Sequence, residues 1–197
     1  DSTFSTNSVS LVILGFYLII YDRVNNLDYD FKKILNAEYT LHSGSCIFHQ
    51  MHEAKDIHEQ YGGFPNTYTK HNTIIHQLWW DDGPVNFAEL GKLLEMDVVT
   101  VSSIMQEPGN IIPVHRDIFF KINNEYPDDK RTKVRANIFM EDWKFGHILN
   151  YLDENKWRNE NDWKAGDGII WDGDVQHLSV NAGLEDKYTL QVSGFQW

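Results

Sequence analysis

The rhythm of apolar and polar positions changes near residue 97. Before it, residues 28–60 and 84–96 read as helical: "DYDFKKIL" carries apolar residues near helical spacing, and "VNFAELGKLLEM" puts Phe87, Leu90, Leu93 and Leu94 on one stripe. Between these segments, "YGGFPNTYTKHN" (61–72) has the Gly, Pro and Asn content of a loop. From residue 97 onward the pattern shortens into strand-like runs: "DVVTVSSIM" (97–105), "IIPVHRDIFFKI" (111–122), "KVRANIFM" (133–140), "GHILNYLD" (146–153), "GIIWDG" (168–173), "QHLSV" (176–180) and "KYTLQVSGF" (187–195). "QEPGN", "NNEYPDDK" and "WKAGDG" supply turns between them. Short strands with no helical pattern between them predict a jelly roll or barrel, mainly β with flanking α, and N-terminal helices packed outside.

Alternation within two runs sharpens the picture. In 133–140, Lys133, Arg135, Asn137 and Phe139 share one face, and Val134, Ala136, Ile138 and Met140 the other. In 187–194, Lys187, Thr189, Gln191 and Ser193 oppose Tyr188, Leu190, Val192 and Gly194. A polar face is ordinarily the solvated side of a sheet. It becomes interesting here because the same chain carries an apolar run with two ionisable groups inside it. On one strand, side chains at i and i+2 point the same way, so "IIPVHRDIFFKI" predicts His115 and Asp117 projecting together, with Arg116 on the opposite surface. Pro113 removes a ladder donor just before them, as at the start of a strand.

The 197 residues read as a single domain (1–197), with residues 1–96 as a helical and strand extension and 97–197 as the β core. A hydrophobic content of 42% supports a sizeable core. The net charge of -12 repels phosphate backbones and anionic lipid, which argues against nucleic acid or a membrane surface as the main partner. Oligomeric state is not encoded in any pattern here. Cys46 is the only cysteine, which excludes an intrachain disulfide and thiolate zinc cages and suits a reducing, cytoplasmic setting. The apolar stretch "LVILGFYLIIY" (11–21) is too short for a bilayer span of ~20 residues and lacks a basic region before it; it reads as a buried strand or helix, the alternative being a trimmed signal or anchor.

Histidine and carboxylate chemistry remains open. His177 begins a short strand after the turn "WDGD". With His115 and Asp117 it supplies two imidazoles and a carboxylate, a set that can occupy one face of an octahedral metal and leave three positions free, as in non-haem Fe(II) oxygenases. An H-x-D with a later His also arises by chance in many proteins. The tail adds weight: Lys187 and Thr189 share a strand face ten and twelve residues after His177, and Arg135 faces the same way on another strand. Cations aimed into a barrel need an anion, and a dicarboxylate co-substrate would satisfy both.

From about residue 97 to 197 the chain resembles the Fe(II)/2-oxoglutarate-dependent dioxygenases with a double-stranded β-helix, cupin-type fold. The most specific stretch is "W-x-x-G-D-G-I-I-W-D-G-D-V-Q-H-L-S-V-N-A-G-x-x-x-K-Y-T-L", and it looks most like the aspartyl/asparaginyl β-hydroxylase branch. The resemblance implies His115, Asp117 and His177 as iron ligands, Lys187 as partner of the 2-oxoglutarate distal carboxylate with Thr189 assisting, and Arg135 and Asn137 as further co-substrate contacts. It implies Fe(II), 2-oxoglutarate and O2, with ascorbate as an accessory reductant, and hydroxylation of an amino-acid, peptide or small-metabolite C–H bond with release of succinate and CO2. Two departures stand out: that branch usually has glycine where this chain has Asp117, and Lys replaces the more usual Arg at 187, keeping charge but losing the planar fork. The competing class is a non-catalytic cupin-like protein that uses the pocket for a ligand or structural metal.

Other residues have blander readings. "HQMHEAKDIH" (49–58) offers His49, His52, Asp56 and His58 but reads as a solvated helix face. Trp79 and Trp80 read as core rather than substrate groove. Asp172 and Asp174 read as turn formers, and Tyr151, on a face with His147, as a pocket-wall residue.

Overall fold

A computed structural model of the protein describes residues 21–41 and 43–197. The expectation for 11–21 therefore lies outside the described residues except at Tyr21, which opens a strand. The described residues form eleven strands: β1 (Tyr21–Val24), β2 (Thr40–Leu41), β3 (His76–Trp80), β4 (Met96–Gln106), β5 (Ile111–His115), β6 (Lys133–Phe139), β7 (His147–Asp153), β8 (Lys156–Glu160), β9 (Gly168–Asp172), β10 (His177–Asn181) and β11 (Lys187–Gln196). Five short α-helices accompany them: α1 (Lys32–Leu35), α2 (Ser43–Phe48), α3 (Lys55–Gln60), α4 (Phe87–Leu94) and α5 (Phe120–Glu125), with a π-helical turn, His49–Glu53, between α2 and α3.

The strands form two antiparallel sheets, a major one in the order β1-β9-β6-β11-β4-β3-β2 and a minor one in the order β5-β10-β7-β8. Apart from the β7–β8 hairpin, consecutive strands from β4 to β11 alternate between sheets, which gives the double-stranded β-helix, or jelly roll. The N-terminal half does more than pack outside: β1, β2 and β3 extend the major sheet on both edges.

Alternation along β6 and β11 decides where the core lies. Val134, Ala136 and Ile138, with Leu190 and Val192, face outward and form one cluster with Phe31, Ile34, Leu90 and Leu94 under α1 and α4. The polar faces of the same strands point between the sheets. A second cluster, with Phe139 stacked on Trp163 at 3.8 Å and Trp171 beside Tyr151, plugs part of the space between the sheets. Helix α4 is capped by the Asn86 side chain, which accepts from the Glu89 N–H at 3.0 Å. Its inward stripe is Phe87, Leu90 and Leu94; Leu93, expected on that stripe, is exposed.

Two further expectations change. The run 111–122 is not one strand. It ends at His115, passes through Phe119 in the left-handed region (φ 47°), and becomes α5. Strand β8 has no apolar alternation to announce it, because "KWRNE" is an edge strand with mostly exposed residues. It is paired to β7 by a two-residue turn, Glu154 and Asn155, both at positive φ as a type I′ hairpin requires.

Gly194 sits at the register shift between β11 and β4, where a Cβ would lie 1.8 Å from the Asp97 carbonyl oxygen. Gly194→Ala should force these central strands apart at a loss of about 2 kcal/mol, seen in thermal melts as a fall of roughly 6 °C in Tm. An unchanged Tm would show that the bulge adapts.

Candidate metal centre and its cavity

The minor sheet sets the two imidazoles face to face. His115, the last residue of β5, is the register partner of His177, the first residue of β10, and their ring centroids are 4.2 Å apart. Each ring is fixed by a carbonyl two residues back: His115 Nδ1 donates to Pro113 O at 2.8 Å and His177 Nδ1 to Val175 O at 3.0 Å. Each therefore presents Nε2 to the space between them. Asp117 reaches the same place from the loop after β5 rather than from the strand. Its carboxylate, His115 and His177 offer ligand atoms all within 4.8 Å of one another, and all three side chains line one cavity.

The loop is turned so that the Asp117 carboxylate meets the major sheet. Arg135, from β6, makes an ion pair with Oδ1, and Trp171 Nε1, from β9, donates to Oδ2 at 2.9 Å. Arg135 is steadied in turn by Ser193 Oγ at 2.9 Å from its Nε and by the Phe119 ring, 5.4 Å from its Cζ. Phe119 carries the strain of this turn: its left-handed conformation, which costs a non-glycine residue about 1–2 kcal/mol, points the ring at Phe195 and Ile122.

Electrostatics leave the three groups in the states that metal ligation needs. Burial lowers the His115 imidazole well below its ordinary range, helped by His177, and burial lowers His177 too, against the pull of Asp117. Burial alone would raise the Asp117 carboxyl; the Arg135 guanidinium foremost, with the Trp171 indole N–H, holds it at about 2. The set is thus two neutral imidazoles with free Nε2 lone pairs and an ionised carboxylate. Each carboxylate oxygen keeps a second lone pair after its bond to Arg135 or Trp171. Two imidazoles and one carboxylate on one side of an otherwise open cavity fit a divalent first-row metal with vacant positions.

The cavity occupies about 760 Å³. Its floor is the polar face of the major sheet, with Arg135 and Asn137 from β6 and Thr189, Gln191 and Ser193 from β11. A hydrogen-bonded ribbon crosses it: Gln77 Nε2 donates to Ser102 Oγ at 3.2 Å, Ser102 to Gln191 Oε1 at 3.4 Å, and Gln191 Nε2 to Asn137 Oδ1 at 3.1 Å. The ribbon ends on Asn137 Nδ2, which is buried with no hydrogen-bond partner among the described residues. A buried donor left in this way is suited to an acceptor on a ligand.

Of the residues singled out in the sequence, His115, Asp117, His177, Arg135, Asn137 and Thr189 line this cavity and Lys187 does not. Lys187 lies one side chain behind the wall, where its Nζ donates to Ser179 Oγ at 2.7 Å and to Ile148 O at 2.5 Å. Ser179 itself lines the cavity and donates to Gln106 Oε1 at 2.6 Å. Lys187 is almost wholly buried, and burial lowers its pKa to about 7.

Several blander readings change. His49, on the π-helical turn, packs edge-on against His115 with centroids 5.2 Å apart, and its Nδ1 lies 2.5 Å from Glu53 Oε2; both residues line the cavity. His58 is buried and bonded to Gln50 at 2.9 Å. The 49–58 stretch is therefore not simply a solvated face, and a π-turn breaks the spacing that could have revealed it. Trp79 lines the cavity whereas Trp80 packs in the core with Nε1 on Ser103 Oγ at 2.9 Å. Tyr151 is not a wall residue; it is buried against Trp171 with its hydroxyl on Glu160. Arg116, expected on the surface opposite His115 and Asp117, instead lines the same cavity and pairs with Asp56 at 3.3 Å. Asp172 does form the turn, accepting from the Asp174 N–H at 2.8 Å.

Neither family models nor curated protein sequences match this sequence. Solved structures match its fold. A Pseudomonas putida prolyl-4-hydroxylase is 16% identical over 90% of this chain and 92% of its own, with a TM-score of 0.54. The non-heme alpha-ketoglutarate-dependent epimerase SnoN from nogalamycin biosynthesis is 10% identical over 89% of this chain and 78% of its own, with a TM-score of 0.55. The carbocyclase SnoK from the same biosynthesis is 12% identical over 89% and 79%, with a TM-score of 0.51. The protein thus shares the double-stranded β-helix fold of these structures. Among the described residues no helix is long and apolar enough to cross a membrane.

Lys187 gives a pH signature. A lysine whose pKa falls from 10.5 to about 7 on folding is protonated in the unfolded chain but not in the folded one between those values. Its contribution to stability is therefore lowest below pH 7 and rises with pH, over a full span of about 5 kcal/mol. Urea unfolding of wild type and Lys187→Met should show wild type gaining roughly 2 kcal/mol relative to the variant between pH 7 and pH 9. A difference that stays constant would mean that Lys187 is charged inside the fold.

Proposed function

We propose that the protein is an Fe(II)- and 2-oxoglutarate-dependent oxygenase that hydroxylates a C–H bond of an amino-acid, peptide or small-molecule substrate, releasing succinate and CO2. The observation that carries this reading is the convergence of two carbonyl-pinned imidazoles and one ionised carboxylate at the wall of a large cavity in this fold. His115, Asp117 and His177 are the proposed iron ligands. When bound, the metal supplies oxidative decarboxylation of 2-oxoglutarate by O2 and oxygen insertion into the substrate.

The chain's own residues have distinct tasks in this reading. Pro113 and Val175 carbonyls hold the imidazoles in the tautomer that leaves Nε2 free. Arg135 and Trp171 orient the Asp117 carboxylate, and Arg135 also lies where it could meet a co-substrate carboxylate. Asn137 Nδ2 and Thr189 offer hydrogen-bonding groups on the floor, and the Lys187–Ser179 pair offers a cationic inner end for the distal carboxylate. The tail motif favours a relationship with the aspartyl/asparaginyl β-hydroxylases, with Asp117 as the departure from that branch. A chain with Cys46 as its one cysteine suits a reducing, cytoplasmic setting, and ascorbate would serve as the accessory reductant. The second reading, a non-catalytic cupin-like binder, draws on the Arg135–Asp117 ion pair, which compensates the carboxylate without a metal.

Purified protein with Fe(II), ascorbate and 2-oxoglutarate should form succinate at least tenfold faster than His115→Ala. Anaerobic addition of 2-oxoglutarate to the Fe(II) protein should produce the visible band of the chelate. Lys187→Ala, which removes the amine behind Ser179, should raise the KM for 2-oxoglutarate by roughly 10-fold. No band and no dependence on His115 would leave the binding-protein reading.

A further inference from the structure

The mouth of the cavity differs from its floor. Four exposed large apolar side chains border it: Phe48 (58% exposed) from the end of α2, Trp79 (57%) from β3, and Ile118 (40%) and Phe120 (69%) from either side of Phe119. They come from three separate parts of the chain and converge on one opening. The left-handed turn at Phe119 accounts for two of them, because it sends the Phe119 ring inward and leaves its neighbours at the rim. Exposed apolar residues scattered singly need no explanation, but a cluster around a cavity does.

The charged groups of the lining point the same way. Arg135 is paired with Asp117, Arg116 with Asp56, Lys121 with Glu125 at 3.9 Å, and Glu53 with His49. Each has a side-chain partner among the described residues, and the one lining cation with a buried donor left over is Arg116, whose Nε has no hydrogen-bond partner there; the apolar rim therefore supplies most of what the outer cavity offers a substrate. Its volume of about 760 Å³ falls in the range of sites for drug-sized ligands. A five-carbon dicarboxylate at the inner end would occupy a minor part of it.

We infer that the primary substrate is a bulky, largely uncharged small molecule with an apolar ring or chain body, gripped between Phe48, Trp79, Ile118 and Phe120 and oxidised at the end that reaches the triad. This rests on the oxygenase reading for the oxidation but on the rim alone for the binding. Arg116 Nε offers such a molecule one polar contact beside its apolar body. Trp79 and Phe120 are accordingly specificity residues, set apart from the metal and co-substrate contacts.

The neutral two-ring fluorophore N-phenyl-1-naphthylamine serves as probe, titrated into the full chain. Its fluorescence should rise to saturation at one site per chain. The double variant Trp79→Ser/Phe120→Ser should weaken binding at least tenfold. Phe145→Ser/Leu184→Ser, which removes two even more exposed apolar groups away from the cavity, should leave it unchanged. Equal losses in both double variants, no loss in the rim variant, or no saturation would overturn the inference. Co(II) binding, followed by its visible absorption in wild type and His115→Ala, is read in parallel. Loss of Co(II) dependence on His115 with rim-dependent probe binding intact would overturn the oxygenase reading and leave the apolar site standing.

Discussion

The Asp117 carboxylate is almost completely removed from water, and much of the site's architecture keeps that charge compensated. Arg135 from β6 takes one oxygen and Trp171 from β9 takes the other, while Ser193 from β11 holds the guanidinium in place. Three neighbouring strands of the major sheet thus converge on a loop that leaves the minor sheet. The contact joins the two sheets at the point where both imidazoles emerge. Deleting one side of such a pair leaves an uncompensated buried charge, worth about 3–5 kcal/mol, so the element that orients the candidate ligand also braces the barrel. It explains why the chain accepts a left-handed phenylalanine two residues later: the backbone must turn sharply enough to deliver Asp117 inward and then start α5.

Lys187 meets the same problem with the opposite solution. It is as deeply buried as Asp117 but, among the described residues, is met by a serine hydroxyl, a backbone carbonyl and the Trp163 ring rather than by a carboxylate, and its pKa falls to about 7. A charge with a fixed counter-ion stays ionised, whereas one without becomes easy to neutralise. An amine held near neutrality behind a single hydroxyl can regain its proton when an anion arrives, and the electrostatic gain is larger there than at a solvated surface. The inner end thus has a buried amine behind Ser179, while the mouth is bordered by apolar side chains. One cavity therefore has two chemically distinct ends.

Much of this was legible in sequence because strands have a period of two. The alternation in "KVRANIFM" and "KYTLQVSGF" placed Arg135, Asn137, Thr189 and Gln191 on one face, and that face is the cavity floor. What alternation could not say was whether the polar face was solvated or internal, since both readings produce the same pattern. The His115–Asp117 pair illustrates a different limit. The i, i+2 argument assumed one strand through residue 122, yet β5 stops at His115, and the two side chains meet because the loop is pulled toward Arg135 and Trp171. That pull is tertiary and leaves no local signature. His49 was hidden because a π-turn has no periodicity to read, and the polar edge strand β8 because only its turn residues mark it.

The location of the core ties these features together. The largest apolar cluster lies on the outer face of the major sheet, under α1 and α4, so most of the hydrophobic stabilisation is generated away from the space between the sheets. A sandwich that relied on its interior for stability would have to fill it with apolar side chains. Here only one end is filled, by the stack of Phe139 on Trp163 and its neighbours, and the remainder can stay open and polar. The N-terminal half, which reads as an accessory in the sequence, is therefore what permits the cavity: its helices bury the outer face, β3 extends the floor, and α2 and β3 bring Phe48 and Trp79 to the mouth. Changes at the rim can then alter what enters without disturbing either the outer core or the Asp117 clamp, so the properties of the mouth are physically separable from stability and from the geometry of the candidate metal centre.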